Sequence, residues 1–331
     1  MESLALSSMK RPIVSIVVVT YNHENFIDEC LASCVKQATE SLEIEIVVAD
    51  DGSSDETQAK VRHWASLYPG LIRPVLAPRN AGIAANFNQG IARSRGELIA
   101  WIGGDDIMLE GKISRQVAFL GKFPKAAGCY HDAEVFSWPS GTALGLFSQL
   151  YAGKAAKAKA VDTQRMLDSR YQMLPSTVMV RRSAMPIEFD TRLRFHNDYL
   201  FDLETIIAGG PFMRMEGVLA RYRKHEKSIG LDPKTRATML EENLIVCAIV
   251  EARYPRFAGL IRKRAVYYIS LDAVRSFSSG DAGRARELCK ALASRGARLR
   301  ALFIAVFGGQ LARLTDARHR RLAIKLRSLF G

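Results

Sequence analysis

Two acidic doublets, Asp50-Asp51 and Asp105-Asp106, stand directly after short apolar runs. The first closes Ile44-Glu45-Ile46-Val47-Val48-Ala49 and opens the turn Gly52-Ser53-Ser54-Asp55; the second closes Leu98-Ile99-Ala100-Trp101-Ile102 after Gly103-Gly104. Carboxylates crowded together repel one another, so such a cluster needs a cation or hydrogen-bond donors from a ligand. Oxygen-rich sites suit Mg2+ or Mn2+, which commonly bridge one or two carboxylates to the phosphates of a substrate. The chemistry implied is capture of a metal-bound nucleotide diphosphate. A plainer reading stands beside it for each doublet taken alone. Asp and Gly are favoured in strand-to-helix turns, and Asp caps helices.

The elements around the doublets have a regular order. Ile13 to Thr20 is a β-branched run of strand length, as expected of a parallel strand buried on both faces. It ends in the polar turn Tyr21-Asn22-His23-Glu24-Asn25, followed by a helical pattern over 26–37. A strand over 44–49 leads through Ser53-Ser54, an expected N-cap, and Asp55-Glu56 into a helix ending near Leu67. Leu71 to Leu76 reads as a third strand, 83–94 as a helix, 98–102 as a fourth strand and 110–120 as a helix. Strands alternating with helices predict a mostly parallel, Rossmann-like α/β sheet with ligands outside the carboxyl ends of its strands. Residues 137–162 show little periodicity and read as a long loop, a binding loop or lid. Helices are expected over 235–252, 254–277 and 282–294.

Four segments together resemble the family 2 inverting glycosyltransferases of the GT-A fold: the strand ending in Thr20-Tyr21-Asn22, VVADDGSSDET (47–57), the stretch opening RNAGIAANFNQG (79–90), and GELIAWIGGDD (96–106). The resemblance is strong over 12–125, weaker to about 230, and absent beyond. It implies a GT-A domain over 12–230, with a nucleotide-sugar half (12–125) and an acceptor half (126–230), preceded by a tail (1–11) and followed by a helical region (231–331). It implies that Thr20, Tyr21, Asn22, Glu24 and Asp51 hold the base and ribose, with Arg79 near the base or phosphates. Asp105 and Asp106 would hold Mn2+ or Mg2+; the leading Asp of the family's metal motif is replaced by Gly103. Asn197-Asp198 matches the family's Glu-Asp pair, which makes Asp198 the general base, although Asn replaces the Glu. ARYRKHEKS (220–228) is similar to the Y-R-x-H-x-x-S element: His225 is implied at the metal, and Arg223 and Ser228 at the diphosphate or acceptor. Ser176, in Leu174-Pro175-Ser176-Thr177, falls in the acceptor region. The donor implied is a nucleotide-diphosphate sugar, UDP-linked first of all. The acceptor implied is a hydroxyl of a polyprenyl-diphosphate-linked saccharide in O-antigen, capsule or exopolysaccharide synthesis.

The plainer alternatives remain open residue by residue: Asp198 as a helix cap, and His225 as part of a solvated basic turn. Of the whole chain, a nucleotidyltransferase would carry a glycine-rich phosphate loop after the first strand, where this chain has Tyr21-Asn22-His23-Glu24-Asn25. A non-catalytic sugar-nucleotide or polysaccharide-binding module would have no use for Asp105, Asp106 and Asp198 together.

At 331 residues and 48% hydrophobic content the chain can bury one large core and a smaller second unit. Its five cysteines lack metal-site spacing, which suits a reducing cytoplasm without disulfides. The first eleven residues have no apolar core of signal-peptide length, and no run of about 18 apolar residues occurs. The net charge of +13 is uneven. Arg295, Arg298, Arg300, Arg313, Arg318, Arg320, Arg321, Lys325 and Arg327 alternate with apolar residues to Phe330, an amphipathic pattern expected to lie on the anionic inner face of a plasma membrane. Packing on the catalytic domain is the plain alternative. No nucleic-acid-binding motif accompanies the charge.

Overall fold

The computed structural model describes residues 13–40, 42–152, 158–168, 173–226, 228, 233–298, 301–302 and 304–305. The chain divides into two compact units, Met1–Lys227 and Ser228–Gly331.

The first unit opens with β1 (Ile13–Thr20), α1 (Ile27–Val35), β2 (Glu43–Asp50), α2 (Thr57–Leu67), β3 (Ile72–Leu76), α3 (Ile83–Arg93) and β4 (Leu98–Gly103). It continues with β5 (Ile107–Met108), α4 (Lys112–Gly121), β6 (Gly128–Ser137), β7 (Ala143–Leu146), β8 (Ala160–Val161), α5 (Thr163–Asp168), β9 (Met179–Arg181), α6 (Asn197–Gly209) and β10 (Phe212–Lys224). The sheet order is β3-β2-β1-β4-β9-β6-β10-β5, with β7 on β6 and β8 on β10. β1 is parallel to β2 and β4, and β3 is parallel to β2. β9 runs antiparallel between β4 and β6, while β10 is parallel to β6 and carries β5 antiparallel on its far edge.

This order follows from where apolar surface can be covered. Val14, Ile16, Val18, Ile46, Val48, Ala100 and Ile102 form one buried layer with Ile27, Leu31, Val61 and Ile113 from α1, α2 and α4. On the opposite face Trp101 sits edge-on to Phe87 of α3 and Phe201 of α6. Strands covered on both faces must be apolar throughout, which explains the uninterrupted run of β1. The register then sets the site. Thr20 pairs with Asp50 and Val19 with Gly103, so both doublets emerge at one edge of the sheet.

Two expectations from the sequence need correction. The stretch 137–162 is not one loop: its β7 pairs with β6, its β8 pairs with β10, and a π turn spans Ser148–Ala152. The start of α2 is at Thr57 rather than at a Ser53-Ser54 cap. Asp55 accepts the Thr57 N–H at 3.0 Å, while Ser53 is held by Asp50 and the Ser54 N–H by Asn22.

The second unit holds α7 (Pro233–Arg253), α8 (Ala258–Ser278) and α9 (Ala282–Ser294). Ile269, Ala273, Val274, Leu292, Ala301 and Ile304 form its core. Arg284 bridges Asp272 at 2.9 Å and Glu241 at 3.0 Å. No helix among the described residues is long and apolar enough to cross a membrane. Most of the basic stretch expected to lie on a membrane, from 306 onward, falls outside the described residues.

Candidate active site

The first doublet is enclosed by its own turn. Asp50 is fully buried and accepts from the Ser53 N–H (2.9 Å), the Ser53 hydroxyl and Gln58 Nε2 (2.7 Å). Asp51, 3% exposed, accepts the N–H groups of Ala81 and Gly82 at 2.8 and 2.9 Å and so ties the loop before α3 to the end of β2. Gly52 is required between the doublet and that loop: its φ is +71°, and a Cβ there would lie 2.5 Å from the Arg79 carbonyl carbon. Asn22, at φ 54°, donates its N–H to Ser53 Oγ and accepts from the Ser54 N–H with its side chain. Glu24 accepts the Glu56 N–H. Six of the residues implied for nucleotide binding thus lie at the ends of β1 and β2 and on the loop before α3, but Asn22, Glu24 and Asp51 use their side chains to knit these loops together. Tyr21 (42% exposed) and Arg79 are the exposed ones. Thr20 is buried, its hydroxyl 3.2 Å from His23 Nδ1.

The second doublet is built differently. Neither Asp105 nor Asp106 caps the following helix, whose N-cap is Gly111. The two side chains part company. Asp106, 2% exposed, accepts from Ser176 Oγ at 2.5 Å and from the Arg223 N–H at 3.0 Å, one partner on each oxygen. Burial and the adjacent Asp105 charge push its carboxyl well above the usual range. Asp105 turns its carboxylate to His225, Oδ2 lying 3.1 Å from Nε2. Burial alone would raise its pKa, but His23 and the contact with His225 overcome that and hold it down to about 2. Gly103 and Gly104 give this turn its room. A Cβ on Gly104 would sit 2.6 Å from Thr20 Oγ1 and 2.9 Å from His23 Nδ1; one on Gly103 would sit 2.7 Å from Asp105 Oδ1.

β10 completes the site. Arg223, 4% exposed, donates from Nε to the Asp105 carbonyl at 2.7 Å and from Nη2 to Glu29 at 2.5 Å, and lies over Phe26 and Phe136. Phe26 also packs against His225 and Trp138. Ser228 opens the second unit.

Asp198 lies in the first turn of α6, half-buried, with one oxygen accepting the Tyr199 N–H at 2.6 Å. The N-cap residue of that helix is His196, which makes no side-chain cap bond, and Asp198 satisfies one of the helix's first N–H groups. Asn197, in place of the family's Glu, turns inward and donates to the carbonyls of Leu193 and Arg194. Burial raises the pKa of the half-buried Tyr222 phenol well above its ordinary value, and the charges of Asp106, Asp105 and Asp198 add to that in smaller part.

Residue-by-residue reading missed His23, whose ring lies 6.4 Å from that of His225 and whose charge acts on Asp105. The only signal was its place in the turn after β1. Ser176 was expected near the acceptor and is found supporting Asp106.

Asp105 and His225 offer one carboxylate oxygen and one imidazole nitrogen, side by side at the strand ends. No cluster of three or more His, Cys, Asp or Glu side chains fit for a metal ion occurs among the described residues. That donor set fits a divalent ion whose remaining ligands come from phosphate oxygens and water, and it does not fit a closed, all-protein metal site.

A mixed sheet with helices on both faces and its ligand groups at the strand ends is the GT-A arrangement, and the comparisons agree. Residues 15–159 match the family model described as Glycosyl transferase family 2. An uncharacterized protein of Mycobacterium tuberculosis is 30% identical over 220 residues, 65% of this chain and 60% of that protein. The chain therefore spans under two thirds of that relative's length. Among solved structures, S. aureus TarS 1–349 in complex with UDP-GlcNAc superposes with a TM-score of 0.63 at 17% identity, covering 93% of this chain and 91% of that one. The mannosyltransferase PcManGT of Pyrobaculum calidifontis, in complex with GDP-Man and Mn2+, gives 0.58 at 18% identity, covering 94% and 83%. At these identities the likeness establishes the fold.

Proposed function

We propose that the chain is an inverting, metal-dependent glycosyltransferase that moves a sugar from a nucleotide-diphosphate donor to a saccharide hydroxyl. The observation that carries this is the Asp105–His225 pair, a carboxylate kept ionised beside an imidazole at the edge where β1, β2 and β4 end. The family match over residues 15–159 and the nucleotide-sugar complexes of TarS and PcManGT support it.

Tyr21 and Arg79 face the base and ribose, on loops that Asp51, Asn22 and Glu24 hold in place. Asp105 and His225 hold Mn2+ or Mg2+ together with the donor's diphosphate. When bound, the ion neutralises charge on the departing nucleoside diphosphate. Asp106 stays inside the fold, keeping Ser176 and the Arg223 backbone in register behind Asp105. Asp198 takes the proton from the acceptor hydroxyl as that oxygen attacks the anomeric carbon from the face opposite the leaving group. Asp198→Asn should keep donor binding and lower kcat by roughly 10²–10⁴. An unchanged kcat would move the base elsewhere.

The basic, apolar-punctuated end of the sequence supports an acceptor carried on a lipid at an anionic membrane surface, since each Lys or Arg there contributes about 1 kcal/mol. Incubation with UDP-, GDP- and other nucleotide sugars, following slow release of nucleoside diphosphate, tests the reading directly. Release from at least one donor, abolished by EDTA and restored by Mn2+, is expected. No release from any of these donors, with pyrophosphate released instead from a nucleoside triphosphate and a sugar 1-phosphate, would support a nucleotidyltransferase.

A further inference from the structure

Lys224, the last residue of β10, has its side chain buried to 6% exposure on the same side of the strand as Tyr222. Its ammonium donates to the Tyr222 hydroxyl at 3.0 Å. It lies over the rings of Tyr222 (4.4 Å) and Tyr151 (5.6 Å), and Phe147 packs against both tyrosines. An ammonium carries three donors. Tyr222 accepts one, and among the described residues no carboxylate lies within ion-pair reach of Lys224. Arg223 makes the contrast, because its guanidinium is fully engaged by Asp105, Glu29 and two aromatic rings. A cation buried with free N–H groups is costly unless an acceptor arrives. Burial pulls the Lys224 pKa down while Asp106 and Asp105, close enough to act on it, favour its charged form.

We infer that Lys224 and the Tyr222 hydroxyl form a second anchor for a phosphate oxygen, beside the Asp105–His225 pair. The inference rests on the proposed reading of the site as one for a nucleotide-diphosphate sugar. The anchored oxygen belongs either to the donor's diphosphate or to a phosphate on the acceptor. A strand-end ammonium walled by aromatic rings binds such an oxygen more tightly than one in water, because the local dielectric is low.

Calorimetric titration of the full chain in Mn2+ with UDP, UMP and hexyl phosphate separates the sources. Lys224→Met replaces the ammonium with an apolar group of similar length. It should weaken UDP by about 10- to 100-fold, the range of a lost charge-assisted hydrogen bond, and leave UMP within twofold. That result puts the distal phosphate on Lys224; an equal loss with UMP puts the proximal one there. Unchanged UDP with a tenfold loss of hexyl phosphate assigns the anchor to the acceptor. Unchanged affinity for all three overturns the inference. If the wild-type chain binds neither UDP nor GDP nor another nucleoside diphosphate, the glycosyltransferase reading falls, and hexyl phosphate alone decides Lys224: a tenfold loss upholds the anchor and equal affinity removes it; if it binds another nucleoside diphosphate, that one replaces UDP in the titration. Should Lys224→Met lose its thermal transition, Tyr222→Phe, which deletes one hydroxyl, should show the same ligand pattern at about threefold, and its absence overturns the anchor.

Discussion

The turns after β2 and β4 begin alike, with two adjacent aspartates at a buried strand end, and they come to opposite uses. After β2, the next residues bring donors back to the acids: Ser53, Gln58, and the N–H groups of Ala81 and Gly82 occupy Asp50 and Asp51. After β4 the chain passes straight into β5, and Asp105 receives its own backbone N–H but, among the described residues, no Ser or Gln side chain from its turn. Asp106 finds Ser176 from the 3-10 turn Pro175–Thr177 and Arg223 from β10, and Asp105 is left facing His225. The difference teaches that the surrounding turn decides how far a carboxylate is enclosed: four groups close over Asp50 and Asp51, whereas Asp105 keeps an oxygen for His225. The acid pair by itself does not decide the matter.

Four substitutions test the contrast. The largest effect is expected at the outward-facing acid: Asp105→Asn should lower kcat/KM about 10³-fold, the equivalent of about 4 kcal/mol, with the melting temperature nearly unchanged. Retention of metal-dependent turnover would dissolve the distinction between the doublets. At the enclosed doublet the effect should fall on stability. Asp51→Ala leaves the N–H groups of Ala81 and Gly82 unpaired and should cost about 3 kcal/mol in urea unfolding. A drop in turnover without loss of stability would show that Asp51 belongs to the ligand after all.

Lys112 tests the burial side of the argument, because it is a fully buried ammonium held only by Gln116 Oε1 at 3.0 Å. Burial lowers its pKa to about 8, against weaker opposition from Cys129 and Cys34. Below about pH 8 both folded and unfolded chains carry the proton, and the folded state bears the whole burial cost. Between about 8 and the ordinary 10.5 only the unfolded chain keeps it, so stability rises with pH across that window. Lys112→Met should therefore stabilise by about 2 kcal/mol at pH 7, allowing for the partner lost to Gln116, and the gain should shrink as pH approaches 10.5. A gain independent of pH would mean that the ammonium is not the source of the cost. The smallest effect is expected at Asp106→Asn, which keeps the shape of a carboxyl already favoured in its neutral form; kcat/KM should change less than about fivefold. A loss comparable to that of Asp105→Asn would put both acids of the second doublet on the metal.

Much of the frame was legible because it is local. The apolar runs of β1, β2 and β4 and the glycine-punctuated turns follow each other in the order the sheet uses. Nothing local marks β9 as an antiparallel insertion between β4 and β6, since three residues carry no period. The nearness of His225 to the second doublet was partly legible, through the likeness of 220–228 to a known element, but the different surroundings of Asp105 and Asp106 were not. The partners that decide it, Ser176 and Arg223, lie 70 and 117 residues downstream of Asp106. His23 was passed over for the same reason: its closeness to His225 exists only once the outer strands of the sheet are in place.

β5 pairs only with β10, and Asp106 takes one of its two partners from β10 as well. During synthesis at about 5–20 residues per second, the 117 residues between Asp106 and Arg223 take about 6–23 s to emerge. For that interval a nascent chain can already hold β1 to β4 and the enclosed first doublet, yet its second doublet has neither a closing strand nor His225. The strands β1 to β4 are thus made before Asp105 has His225 to face, and a ribosome stalled short of residue 225 carries that part of the sheet without the pair.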